Sequence, residues 1–289
     1  MFENGFFAEG FVWLCPKDTS EPSVSIPFVG FCGDWNAPPV FSGAPNSNAR
    51  AFYTQYAFSY LEMDYRTALY ALGSSAYYEE DTARRDLISI SPNGDGWGDF
   101  FALQLTPQRN AKDIGIRIYA KDTGEVVYEE FEMGSVRKGH YISDDEGVSN
   151  YNVHYLWDGS DASEWFYMMP DGVYTVDVVS LLDWGGENVW SMDFTVDTVK
   201  PVIDDVFVEQ TADGRRLLHV KASDDKTCIQ YLGVYTSESD VGSPCTPRAA
   251  QAAPSCEAVF DISDVTSDHV YLEVADFAFN LTIAKINIG

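Results

Sequence analysis

Apolar residues recur at every second position through much of this chain. Phe101, Leu103 and Leu105 form one such set, Ile114, Ile116 and Ile118 a second, and Tyr174, Val176 and Val178 a third. A two-residue period sends alternate side chains to opposite faces, so each run reads as a strand with one face inward. Turn signals separate the runs. "KDTGE" at 121–125 sets Gly124 where a hairpin loop needs a positive φ, and "MPDGVY" at 169–174 places Pro170, Asp171 and Gly172 just before a strand. Short strands joined by tight turns describe an all-β chain of antiparallel sandwiches. The 17 tyrosines and 18 phenylalanines favour sheet over helix in the same direction.

A chain of 289 residues is long enough for two or three such units. Two stretches have the texture of linkers, the acidic "YYEEDTARRD" at 77–86 and "VDTVKPVIDD" at 196–205. The expected division is therefore an incomplete first sandwich over 1–80, a complete one over 81–199 and a third over 200–289. At the front, "GFFAEGFVWL" and "VSIPFVGFCGDW" read as two strands around the turn "PKDTSEP", and two strands cannot bury a core alone. Residues 47–72 are expected to hold a short helix or irregular structure, with Phe52, Tyr56, Tyr60 and Met63 at helical spacing as packing residues.

Eighteen basic residues against 45 acidic ones give a net charge of −27. That balance repels phosphate backbones and anionic lipid, which argues against nucleic acid as a partner, and it invites divalent cations. No run reaches the roughly 18 apolar residues of a membrane span, and "MFENGFFAEG" lacks the basic head and apolar stretch of a secretion leader. Five cysteines are too few for a disulfide scaffold. Cys228, Cys245 and Cys256 cluster in the last third, where either one bridge or reduced, buried thiols fit.

Catalytic constellations are sparse. His140, His154, His219 and His269 stand in no nucleophile context; there is no Gly-x-Ser-x-Gly elbow, and His219 sits within the strand pattern "LLHVKA". The stretch "SPNGDGWGDF" at 91–100 is the exception in oxygen chemistry. Asn93, Asp95 and Asp99 set side-chain oxygens at the first, third and seventh places of a loop, with Gly94, Gly96 and Gly98 letting the backbone close tightly. Calcium, which takes six to eight oxygens, suits such a set. Gln104 stands where an EF-hand would supply its bidentate glutamate, so this is no EF-hand, and no Lys-Ser or Lys-Thr completes a phosphate cradle. The competing reading is a turn into the strand "FFALQL" whose Asn93 and Asp95 cap local amides, with Asp158 of "LWDGSD" as the candidate helper if a cation binds. Among Trp157, Trp165, Trp184 and Trp190, Trp157 reads as core, whereas Trp184 in the hairpin tip "DWGGEN" is the candidate ligand-binding aromatic.

Taken in order, "NGFFAEGFVWL" with "SIPFVGFCGDWNAPPV", "ISPNGDGWGDFFALQL", "QRNAKDIGIRIYAKDTGEVVYEE", "LWDGSDAS", "MPDGVYTVDV" and "FTVDTVKPVI" resemble the fibronectin-like region of cell-envelope subtilisin-like serine peptidases. Near the end, "VADFAFNLT" resembles the Asp-x-Ala-Gly-Asn turn of bacterial immunoglobulin-like repeats, with Phe279 in the place of glycine. The family likeness implies tandem immunoglobulin or fibronectin type III-like sandwiches, the first incomplete, lying after a catalytic domain and attached to the cell wall outside the cell. It implies a noncatalytic spacer that helps to orient protein substrates or host surface proteins, with the upstream catalytic domain as a further partner. The His-Gly-Thr and Gly-Thr-Ser stretches of the subtilisin triad have no counterpart here, and Asp122-Thr123-Gly124 belongs to the hairpin turn already described. The rival expectation is a standalone adhesin or glycan-binding module that uses Trp184 and calcium-loaded acidic loops.

Overall fold

The computed structural model describes residues 5–18, 20–43, 56–63, 66–73, 84–131, 134–139, 143–144, 147–148, 153–160, 168–241 and 248–289. Among them the protein is all-β, with only the 3-10 turns Arg85–Leu87 and Glu238–Asp240 outside the strands and loops.

Strands β1 (Phe6–Leu14) and β2 (Val24–Cys32) pair as a two-stranded antiparallel hairpin, from Phe6 opposite Cys32 to Leu14 opposite Val24. Nearly every residue of it is exposed, apolar ones included. At its base Trp35 packs edge-on against Phe31, with ring centroids 4.9 Å apart.

The next strands are β3 (Tyr56–Met63), β4 (Arg66–Ala71), β5 (Ser89–Ile90), β6 (Phe101–Leu105), β7 (Asp113–Ala120) and β8 (Val126–Phe131). They are followed by the short β9 (Ser143–Asp144) and β10 (Gly147–Val148), then β11 (Val153–Trp157), β12 (Gly172–Leu181) and β13 (Glu187–Val196). One four-stranded sheet has the order β11-β6-β3-β4 and a five-stranded sheet the order β5-β13-β12-β7-β8. Among the described strands only the short β5 pairs parallel, to β13.

Two expectations change here. The helical reading of 47–72 gives way to β3 and β4. Tyr56, Phe58 and Tyr60 alternate with Ala57 and Ser59, a two-residue period whose aromatics prefer extended backbone, and this outweighs the looser helical spacing. Phe52 lies outside the described residues. Because β3 pairs with both β4 and β6, a boundary near residue 80 would run between strands of one sheet. Val40, Phe41 and Leu72 are likewise buried in the core of this middle sandwich.

The alternating residues fill that core as their period requires: Leu103, Leu105, Ile114, Ile116, Ile118, Val176 and Val178 are all buried between the two sheets. Phe101 stacks on Phe194 at 4.2 Å, and Trp157 meets Phe194 edge-on at 5.7 Å while its Nε1 donates to the carbonyl of Ser160 at 2.8 Å. A buried indole without such an acceptor would be costly.

The third sandwich contains β14 (Val202–Gln210), β15 (Arg216–Ser223), β16 (Ile229–Tyr235), β17 (Arg248–Ala253), β18 (Ser255–Asp261), β19 (His269–Asp276) and β20 (Leu281–Asn287). Its sheets have the orders β14-β15-β18 and β17-β16-β19-β20. Leu218, Val220, Leu232, Phe260, Val270, Leu272 and Val274 form a separate core between them. The two sandwiches meet where the 91–99 loop, the end of β13 and the β19–β20 turn converge.

Candidate functional site

The loop 91–99 folds on itself. Gly94, Gly96 and Gly98 all take positive φ, at 77°, 88° and 71°, a region that residues with a Cβ enter reluctantly. The Asp99 carboxylate accepts from the Gly94 amide at 2.6 Å through Oδ1 and from the Gly96 amide at 2.8 Å through Oδ2. Asp95 Oδ1 accepts from the Trp97 amide at 2.8 Å, and Asn93 Oδ1 from the Asp95 amide at 2.9 Å. Asn93 Nδ2 donates to Asp95 Oδ2 at 3.0 Å. The three predicted ligands are thus brought together, and each of their side-chain oxygens already accepts a local hydrogen bond. A lone pair remains on each oxygen for a cation, which makes the loop suited at most to a weak, exposed calcium site. Asp158 spends its Oδ1 on Ser160, accepting from the amide at 3.0 Å and the hydroxyl at 2.6 Å. Its turn lies against the loop: a Cβ on Gly159 would come within 2.7 Å of the Pro92 ring.

The stronger concentration of charge lies behind this loop. Asp197 follows β13, Asp224 follows β15 and Asp276 closes β19. All three are buried, and their carboxylate oxygens lie within 4.8 Å of one another. Each is held by a local turn. Asp224 Oδ1 accepts from the amides of Lys226, Thr227 and Cys228 at 3.1, 2.7 and 3.0 Å. Asp276 accepts from the backbone and side-chain amides of Asn280, both at 2.9 Å. Asp197 accepts from the Val199 amide at 3.0 Å and from the Thr227 hydroxyl at 2.9 Å.

Burial acts first on these carboxyls. It pushes Asp276 well above the usual carboxylate range, against the hydrogen bonds from Asn280 and with the Asp224 charge adding to the rise. Burial and the neighbouring Asp224 also raise Asp197. The counter-charge beside them is Lys226, whose Nζ is 3.8 Å from Asp197 Oδ1 but 2.7 Å from Asp171 Oδ2. Asp171 stays below its ordinary value: burial works upward on it, but Lys226 and Thr198 outweigh that effect. Close like charges out of water favour either a shared proton or a bound cation. Among the described residues this trio is the group whose geometry could hold a divalent ion. The sequence marks it only faintly, as an aspartate at the end of each of three strand patterns ("TVDT", "ASDD", "EVAD"), a signal that any Asp turn would give.

The remaining candidates are dispersed. Trp184 is 83% exposed at the β12–β13 tip, as its hairpin context suggested, while Trp157 and Trp190 are buried; Trp165 lies outside the described residues. His219 Nε2 meets Glu209 at 2.7 Å and stacks on Phe207. At His269, Asp268 and Ser267 both approach Nδ1, at 2.5 and 3.3 Å; a triad needs its carboxylate and its nucleophile on different ring nitrogens. His140 is outside the described residues, and only the backbone of His154, in β11, is described. Among the described residues Cys15, Cys32, Cys228 and Cys256 are free thiols, with burial pushing Cys256 up to about 11, while Cys245 lies outside the described residues.

No family model matches the chain. Two curated relatives do, both C5a peptidases, one from Streptococcus pyogenes and one from Streptococcus pyogenes serotype M1. Each is 23% identical over 353 aligned positions that take in 98% of this chain. The chain spans about 30% of their length. Two solved structures, of the exo-beta-D-glucosaminidase CsxA and of the E. coli chaperone DraB, are 10% and 8% identical and cover 65% and 69% of this chain and 26% and 91% of their own chains. Their TM-scores of 0.22 and 0.26 are too low to carry any argument.

Proposed function

We propose that this chain is a noncatalytic accessory region of a subtilisin-like serine endopeptidase at the cell surface, outside the cell and attached to the wall. One observation carries the reading: nearly the whole chain aligns with a minor part of C5a peptidase. A stack of sandwiches with exposed loops and hairpin tips suits the work of such a region, which is to hold a catalytic domain away from the wall and to meet large protein substrates. Trp184 is the side chain we assign to that contact, because a solvent-facing indole on a rigid hairpin gives apolar area at little entropic cost. The β1–β2 hairpin, apolar on both faces, is the part we assign to a larger sandwich shared with the peptidase.

Calcium enters as a stabiliser. The 93–99 loop is the exposed candidate, and the buried trio of Asp197, Asp224 and Asp276 offers more charge. The test of the whole reading is the reading frame and the enzyme it encodes. A subtilisin catalytic domain is expected on the N-terminal side, and deleting residues 1–289 should slow cleavage of a folded protein while leaving hydrolysis of a short peptide intact. A frame with no peptidase, in a protein that binds glycans through Trp184, would favour the adhesin instead.

A further inference from the structure

The glycine-rich loop that looks like a cation site in the sequence has a second neighbour. Gly98 is buried, and a Cβ there would lie 2.7 Å from the carbonyl oxygen of Ala278 and 2.8 Å from the Phe279 ring. Any larger residue would push away the β19–β20 turn of the third sandwich. Phe279 itself sits at φ 73°, where side chains other than glycine are strained. Its ring belongs to the core of the middle sandwich, together with Phe101, Phe194 and Ile90, although its own strands belong to the third. Strain of this kind persists only where the surroundings over-determine it, and here they are the packing of another unit.

Polar contacts fix the same turn. Asn280 is fully buried; its Oδ1 accepts from the Ser91 hydroxyl at 2.6 Å, and its Nδ2 donates to the Asp197 carbonyl at 2.8 Å as well as to Asp276. Thr282 Oγ1 donates to the Pro201 carbonyl at 2.5 Å, Thr227 Oγ1 to Asp197, and Lys226 to Asp171. The connection between the units is pinned in turn, since the Asp197 amide donates to the Ile90 carbonyl at 3.0 Å and Thr198 is tied to Asp171.

We propose that the 276–280 turn is a plug, seated in a socket formed by Ser91, Gly98 and the middle core, which makes the second and third sandwiches one cooperative and rigid body. The motif at 91–98 then serves to receive the third sandwich, with Gly98 there for close approach. This inference stands whether or not the chain serves a peptidase.

The tryptophans supply the test, because all seven lie at or before residue 190 and none in the third sandwich. Leu232 is buried in the third core, so Leu232→Ala destabilises that unit directly. In the full chain it should lower the melting temperature followed by tryptophan emission by about 5–10 °C. In a Phe279→Ala background the same substitution should leave the tryptophan transition within about 1 °C of its parent and shift only the backbone circular dichroism of a second transition. Ser91→Ala with Asn280→Ala is the gentler background if Phe279→Ala does not fold, and it should weaken the coupling. A tryptophan transition indifferent to Leu232→Ala in the otherwise unaltered chain overturns the proposal. So does coupling that survives both backgrounds at full strength.

Discussion

The β1–β2 hairpin and the third sandwich are written in the same alphabet and end differently. Val12, Leu14, Val24, Ile26 and Phe28 share one face of the hairpin by register, just as Leu218, Val220 and Ala222 share one face of β15. Yet Leu14 and Val24 are 56% and 55% exposed, whereas Leu218 and Ala222 are sealed. Alternation decides which side chains share a face; it does not supply the second layer that removes the face from water. The middle and third sandwiches each contain two sheets, while the described part of the hairpin has one. Its apolar residues contribute little to the stability of this chain by themselves, because about 25 cal/mol is gained only for each Å² taken out of water.

The contrast can be broken most forcefully by cutting both regions alike. Phe194→Ala, which empties the centre of the middle core, should cost about 3–5 kcal/mol, and Phe11→Ala in the hairpin less than about 0.5 kcal/mol, both read by chemical denaturation. Equal losses would mean that the hairpin is covered in solution by part of this same chain. Calcium sharpens the comparison next. If either acidic set binds it, the stability of the two packed sandwiches should rise by about 2.7 kcal/mol at one hundred times the dissociation constant. The hairpin should not respond. Asp224→Asn removing the effect would assign it to the buried trio, and Asp99→Asn to the loop.

A smaller effect comes from protons. With a chelator present, Asp197 and Asp276 have raised folded-state values, while the unfolded chain ionises near the ordinary 3.8. Their protonated forms therefore favour folding: the contribution is whole below the unfolded value and fades as pH rises through the folded ones. Melting of the packed pair should climb as pH falls from neutral through those raised values, and Asp276→Asn should flatten the dependence. Asp171, held low by Lys226, acts with the opposite sign and only in more acid solution. A curve that falls steadily from pH 7 to 5 would contradict the charge crowding at the junction. Smallest of all, Trp184→Ala should leave stability within about 0.5 kcal/mol, since its ring is exposed, while weakening cleavage of protein substrates by the peptidase proposed above.

The architecture was legible where the period is strict. Ile114, Ile116 and Ile118 all point inward as their spacing demands, and Gly124 takes its positive φ in the expected turn. Residues 56–71 were harder, because aromatics there satisfy two periods at once and only pairing with β6 decides between them. The junction was mostly hidden. The Asp-x-Ala-Gly-Asn likeness flagged the unusual Phe279, and its φ of 73° shows that the turn still demands a glycine-like conformation. What the likeness lacked was the partner, since Ser91 and Asn280 are 189 positions apart and nothing in either neighbourhood names the other. The buried trio was missed for the same reason: in a chain with 45 acidic residues, proximity in space is the whole signal.

The central claim is that these sandwiches support chemistry performed by another stretch of protein. Incubating the purified 289 residues with casein and with chromogenic peptides, with and without calcium and a serine-directed inhibitor, tests it most directly. The account predicts no hydrolysis above buffer under any of these conditions. Turnover that the inhibitor abolishes and that tracks the chain through purification would contradict it.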